Sequence, residues 1–484
     1  MKILPLIRSA CSANPLLKLS ALGLLLLLSG CATYTDKTRN LRANWQAGNY
    51  QGAAQLAADA AGKSSSTDVA LWDLEAGATA RASGNTEASL ASFTAADKLF
   101  DYWDTQPEIS ISRETAALLV NPTVLPYRGE DHDRIMESTY QALNYLQLGK
   151  FDEARVELRR ALERQRTALQ NNAARIEKAQ QASAESAKDG GYNAQRAQQD
   201  PHFQEQLQQI TGPLAGMHFY ADYVNPFTTY LEGICLLSRP QSAADLESAR
   251  VDFERVRAMT GANAAIDADA DLATKTSNGA AWTPQTWVIF ETGTAPIKEE
   301  MRIDIPVFLA SRDVPYFGAA FPILRLNGLF DRALVAQAAG GTPIRTTLVC
   351  DMDAVIALEF RNEMPDLVVK TLISAGAKAG AAFGLHEAAR AVDKNNDLLN
   401  ALTQVTGLAY EYATNRADLR TWVTLPKQFQ FCRLPTPADG KLYLARDGSH
   451  ESVEVDLPPG PATMVYVKSS SLGGRLAIST FSLR

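Results

Sequence analysis

At 484 residues the chain is too long for one ordinary core, so two or three domains are expected. Hydrophobic residues make up 46% and charged residues 21%, a globular composition that argues against a disordered chain. Formal charge is −7, and the first 30 residues carry three positive charges and no negative ones, so the remainder sits near −7 − 3 = −10. An acidic body argues against a nucleic-acid partner, because phosphate binding needs a clustered basic surface.

Lys2, Arg8 and Lys18 flank a short apolar run, residues 20–28, about half the ~20 residues a membrane span needs. A basic head, a short apolar segment and small residues form a secretory signal. The cut falls at Leu28-Ser29-Gly30-Cys31, which resembles the bacterial lipobox. That resemblance implies cleavage before Cys31 and acylation, palmitate included, of its thiol and new amine. Ala32 follows instead of Asp, which by the same resemblance implies an outer-membrane address, facing the periplasm. Two or more buried acyl chains hold where one would not. Cys11 leaves with the signal, so Cys235, Cys350 and Cys432 remain in an oxidising compartment. Cys350 and Cys432 lie in strand-like sequence and are a possible disulfide, although spacing does not fix Cα geometry. Cys235 lies in a helical run and reads as a small buried apolar residue.

Residues 31–40 read as a tether, and residues 41–262 as helical repeats. The clearest copy runs from Tyr140 through Gly149 and Phe151 to Ala154, Leu158 and Ala161. Its apolar spacing gives two helices around a glycine turn, and the pattern resembles the tetratricopeptide repeat. Other copies centre on Trp45-Gly48-Tyr50, on Leu71 to Phe100 through Gly84, and on Tyr230 to Val256 through a loop at Pro240. Residues 104–130, with Pro107, Pro122 and Pro126, break the stack. Residues 162–210 are a polar helical arm, read most simply as solvated. A small-residue stretch, 263–284, reads as a linker.

Residues 285–484 are β-rich. Strands are expected at 286–292, 301–308, 321–326, 346–350, 428–434, 441–444, 452–457, 463–468 and 476–483, with Ser452–Leu457 alternating at period two. A helical insert at 352–418 carries a small-residue seam, Gly376, Gly380 and Gly384, on the helix 367–385. The expected fold is multidomain α+β: a tetratricopeptide-like α-solenoid followed by a β-sandwich-like domain with that insert.

The densest chemistry is Tyr127-Arg128-Gly129-Glu130-Asp131-His132-Asp133-Arg134. Paired carboxylates beside a histidine can act as acid and base or bind a metal. Read plainly, Asp131 or Asp133 caps the following helix. No zinc spacing, phosphate loop or nucleophile elbow appears, so no metal, cofactor or catalytic residue is assigned and an enzyme is not expected. The same tract leading into residues 142–149, with Val288-Ile-Phe-Glu-Thr-Gly293 and Asp418-Leu-Arg-Thr-Trp422 before Leu425-Pro, resembles an uncharacterised family of proteobacterial lipoproteins. Relatives are often encoded near the lipoprotein activator of a penicillin-binding protein, which implies work in envelope or peptidoglycan assembly. The leading expectation is a lipid-anchored scaffold binding an envelope protein or peptide, with Tyr127, Arg128, Asp131, Asp133 and Arg134 as partner-facing residues. The alternatives are an envelope hydrolase using residues 130–134 and a membrane-remodelling protein using the glycine-seamed helix.

Overall fold

The computed structural model describes residues 33–64, 67–106, 123, 125–186, 193–221, 223–306, 316–392 and 416–484, and their side chains except those of 186, 316, 317, 375 and 377–392. The N-terminal part is helical: α1 (Tyr34–Lys37), α2 (Arg39–Gln46), α3 (Tyr50–Lys63), α4 (Val69–Ala82), α5 (Thr86–Thr105), α6 (Asp131–Gln147), α7 (Phe151–Ser186), α8 (Ala194–Gln198), α9 (Pro201–Thr211), α10 (Pro226–Ser238), α11 (Ala243–Thr260) and α12 (Ala264–Ser277).

Three hairpin turns share one chemistry. At Gly48, Gly84 and Gly149 the backbone enters the left-handed region, with φ of +69°, +87° and +71°. The next N–H then reaches back five residues: Asn49 to the Asn44 carbonyl (2.9 Å), Asn85 to Ala80 (2.9 Å) and Lys150 to Tyr145 (2.8 Å). This closes one helix. The Asn49 and Asn85 side chains open the next by accepting the N–H groups of Gly52 and Ala88, each at 3.1 Å. Hairpins α2–α3, α4–α5 and α6–α7 result, and α10–α11 forms a fourth around Pro240. Small residues let partners approach closely: a Cβ on Gly77 would stand 2.5 Å from the Phe93 ring.

Eleven strands and one long helix follow among the described residues: β1 (Gln285–Thr292), β2 (Ile297–Pro306), β3 (Tyr316–Arg325), β4 (Leu334–Ala338), β5 (Ile344–Arg345), β6 (Thr347–Asp351), α13 (Met352–Val392), β7 (Gln428–Pro435), β8 (Lys441–Arg446), β9 (Ser452–Asp456), β10 (Ala462–Ser469) and β11 (Ala477–Ser482). β4 and the two-residue β5 have no counterpart among the expected strands. The strands form a five-stranded sheet ordered β11-β10-β1-β7-β6, a β2–β3 hairpin, and a four-stranded sheet ordered β5-β4-β8-β9. Strand β1 runs parallel to β10 and antiparallel to β7, and all of its residues are buried. Alternation divides the central sheet into two apolar faces. Val288, Phe290, Cys432, Leu434, Val465 and Val467 meet Leu334, Ala336, Leu442 and Leu444 of the second sheet. Trp287, Ile289, Phe429, Phe431, Met464 and Tyr466 share a core with the helices. The β-rich part is therefore covered by helices on one side, and the order is helices, five-stranded sheet, four-stranded sheet.

Several boundaries need correction. The expected linker contains α12, which buries Ile266, Asp269 and Ala273; its run of alanines hides a helical face with few large residues. The expected tether is already folded at Tyr34, which is buried and donates its hydroxyl to Glu75 (3.3 Å). The return half of the polar arm is not free: Ala194, Ala197, Phe203 and Ile210 pack with Ile303, Ile305 and Phe321 of β2–β3 and with Phe360 and Met364 of α13. Cys350 and Cys432 are free thiols. They occupy opposite faces of the same sheet, one in the helix-side core and one in the sheet–sheet core, so they do not bridge. The second half of the expected insert, 393–415, lies outside the described residues, as does Cys31. Gly380 and Gly384 lie outside the described side chains. Among the described residues no helix is long and apolar enough to cross a membrane.

Candidate functional site

The 125–134 tract runs without regular structure to Glu130 and then enters α6. A helix N-terminus presents unpaired N–H groups, and here a distant acid meets them. Glu359 of α13 accepts the N–H groups of Asp131 (2.7 Å) and His132 (3.0 Å). Its Oε2 also lies 2.7 Å from His132 Nδ1. On the other side of the ring, His132 Nε2 stands 3.3 Å from Asp133 Oδ1. Asp133 Oδ2 accepts the Glu130 N–H (3.1 Å) and the Tyr127 hydroxyl. Lys298 of β2 pairs with Glu130. Arg175 of α7 pairs with Asp131 at 3.0 Å and Glu363 at 3.4 Å. Arg134 forks onto Asp104 (2.7 and 3.0 Å) and covers the Phe100 ring, while Arg128 lies over Trp103.

The electrostatics follow from this enclosure. Burial opposes charge on His132, yet Asp133 and Glu359 outweigh it and hold the imidazolium up to about 10. Burial also acts against Glu359, but His132 and the two N–H groups pull its carboxyl below the ordinary range. Burial raises Asp131 to about 6 and Glu363 to about 8, in each case helped by the Glu359 charge. A cationic histidine with a carboxylate at each nitrogen has no lone pair to receive a substrate proton, so it is no general base at neutral pH. Ligand atoms of Glu130, His132 and Glu359 lie within 4.8 Å of one another, a spacing able to hold a metal ion. His132 and Lys298 already supply the positive charge that such an ion would bring.

Of the expected partner-facing residues two are buried, and Arg128, Asp131 and Arg134 are partly exposed. Tyr127 is 6% exposed and Asp133 0%. Asp131 and Arg134 face other parts of the same chain. The structure brings Glu130, Asp131, His132 and Asp133 together, and it adds Glu359, Glu363, Lys298 and Arg175, which sequence reasoning missed. None of the four lies near the tract in sequence, and no local signal marks them.

A second polar junction lies beside it. Glu75 of α4 accepts the Val423 N–H (2.7 Å) and the Thr424 hydroxyl (2.6 Å). Arg420 pairs with Asp418 and donates to the Leu125 carbonyl (2.8 Å). Trp422, fully buried, meets Phe93 and Tyr140 with ring centroids 5.8 Å away in each case. The 418–425 motif thus plugs the helical layer.

No protein-family model matches the chain, and no curated protein does. A crystal structure of a tetratricopeptide repeat protein from Parabacteroides merdae ATCC 43184 is similar over 50% of this chain and 98% of its own, at 14% identity and a TM-score of 0.13. So low a score carries no argument, and the hairpin architecture stands on its turns and packing.

Proposed function

We propose that the chain is a non-enzymatic scaffold of the cell envelope, acylated at Cys31, held at the periplasmic face of the outer membrane and binding a protein or peptide partner. The observation that supports this most is the use made of the reactive-looking cluster. Its charged groups are used to join α6 and α7 to α13 and β2, through Glu359 on the Asp131 and His132 N–H groups, Arg175 between Asp131 and Glu363, and Lys298 on Glu130. Stacked helical pairs offer extended preformed surfaces for partners. A role in envelope or peptidoglycan assembly rests on the resemblance to proteobacterial lipoproteins alone.

The test is photo-crosslinking in intact cells from exposed positions on the hairpins, such as Glu163 of α7 and Glu247 of α11. Recovery of one envelope protein, absent from controls lacking ultraviolet light, is expected. Labelling with an alkyne palmitate analogue is expected for the native chain and not for Cys31→Ala. An unlabelled native chain, or no captured partner from any hairpin, would overturn the reading.

A further inference from the structure

Between the helical layer and the edge of the central sheet lies a cavity of about 50 Å³, walled by Ala78, Arg81, Tyr140, Glu291, Tyr466 and Lys468. Its rim includes Ala82 and Gly84 at the end of α4 and Ala477, Ile478 and Ser479 of β11, all partly or fully exposed, so it opens outward there. Glu291 and Lys468 are direct cross-strand neighbours in the parallel β1–β10 pair. Glu291 is well occupied: it accepts from Lys468, from Tyr140 (3.0 Å) and from Tyr466 (2.5 Å). Lys468 also lies over the Trp45 ring at 4.5 Å.

Arg81 differs. One nitrogen, Nη1, donates to Asn144 Oδ1 (2.7 Å), and the guanidinium stacks on Tyr466 at 4.5 Å. Nε and Nη2 are buried with no hydrogen-bond acceptor. Those two atoms form the side edge of the guanidinium, the edge that takes a carboxylate through two parallel bonds. Burying it unanswered is costly, and more so for a charged donor. The wall holds two basic side chains, Arg81 and Lys468, to one carboxylate, Glu291, although burial disfavours the Lys468 ammonium. The space holds roughly three to five water-sized groups, which suits a planar three-atom carboxylate.

We propose that this cavity is a receptor for a single carboxylate group, bound through Arg81 with Lys468 behind it. The carboxylate comes either from a small free acid or from the terminus of a peptide, and the scaffold reading is not needed for either.

The full chain, purified in detergent, is titrated with sodium acetate against sodium chloride at constant ionic strength. A parallel series uses N-acetyl-trialanine and its C-terminal amide. The readouts are melting temperature and amide chemical shifts of residues 78–84 and 477–479. Saturable change with acetate assigns the small acid; saturable change with the peptide acid alone assigns a peptide terminus. Arg81→Gln is expected to weaken the response at least about tenfold, as loss of one partner of a buried charge pair does. Ala82→Leu, at the rim, is expected to block binding while the protein stays folded, which covers the case of Arg81→Gln failing to fold. Responses that match chloride and the amide, or that survive both substitutions, overturn the proposal. Because the titration contains no protein partner, its failure leaves the crosslinking result standing, and the reverse also holds.

Discussion

At the scale of single residues, the buried ionisable groups set how stability depends on pH. Glu75 is fully buried, and loss of hydration raises its carboxyl from an ordinary 4.5 to about 8. The folded state therefore holds a proton that the unfolded chain has released, and stability falls as pH climbs from about 4.5 to about 8. Burial raises Glu137 and Asp353 to about 7 in the same sense. His132, ordinarily 6.5 and here about 10, contributes stability that is complete below 6.5 and gone above 10. Both kinds of group point the same way, so the melting temperature should drop between pH 6 and pH 9. In Glu75→Gln, which cannot ionise, that drop should be smaller. A flat or rising profile would contradict the assignment. The ion network is tested directly by His132→Gln, which leaves Glu359 and Asp133 facing no cation on that side. Breaking one partner of a buried pair costs about 3–5 kcal/mol, which urea unfolding would register as a lower midpoint.

At the scale of elements, the local signals are mostly legible in the sequence and the pairings are not. Gly48-Asn49 and Gly84-Asn85 write a helix stop and the following start in adjacent residues, so those dipeptides alone mark the hairpins. Nine strands are readable in the sequence, whereas Leu334–Ala338, short and rich in alanine, and the two-residue Ile344–Arg345 have little to mark them. Nothing local announces that β1 lies parallel to β10, 177 residues on, or that Glu359 caps α6. Register also decides the thiols. Cys350 pairs across from Phe429, which faces the helices, while Cys432, an odd number of residues further along β7, faces the second sheet. Both thiols are shielded, and burial raises the Cys432 thiol to about 12. Peptide mapping without reductant should find both free, with alkylation of either only after denaturation. A linked 350–432 peptide would refute the register. Trp422→Ala removes the plug between Phe93 and Tyr140 and should cost about 3–5 kcal/mol, read from the same urea titration.

At the scale of the whole molecule, the consequence of most weight is how little chain separates Cys31 from the folded body. Tyr34 is docked on Glu75 and Lys37 pairs with Asp68 at 2.7 Å. Glu75 in turn holds Val423 and Thr424, so the first described residues are tied to both the helical and the sheet-bearing parts. Two residue steps from Cys31 to Thr33 reach about 7 Å at full extension. Under the proposed acylation the body would lie against the lipid headgroups. Arg39 offers a probe, since its side chain is 73% exposed in α2. A dye on Arg39→Cys is expected to label selectively, because Cys235, Cys350 and Cys432 are buried and the proposed acylation would block Cys31. Six further residues at helical rise place that dye within about 16 Å of the anchor. In vesicles doped with an acceptor lipid, energy transfer should be strong. Inserting twenty Gly/Ser residues between Ala32 and Thr33 adds a coil of about 25 Å root-mean-square span, and transfer should fall sharply. Equal transfer with and without the spacer would mean that the body is not held at the membrane by its first residues.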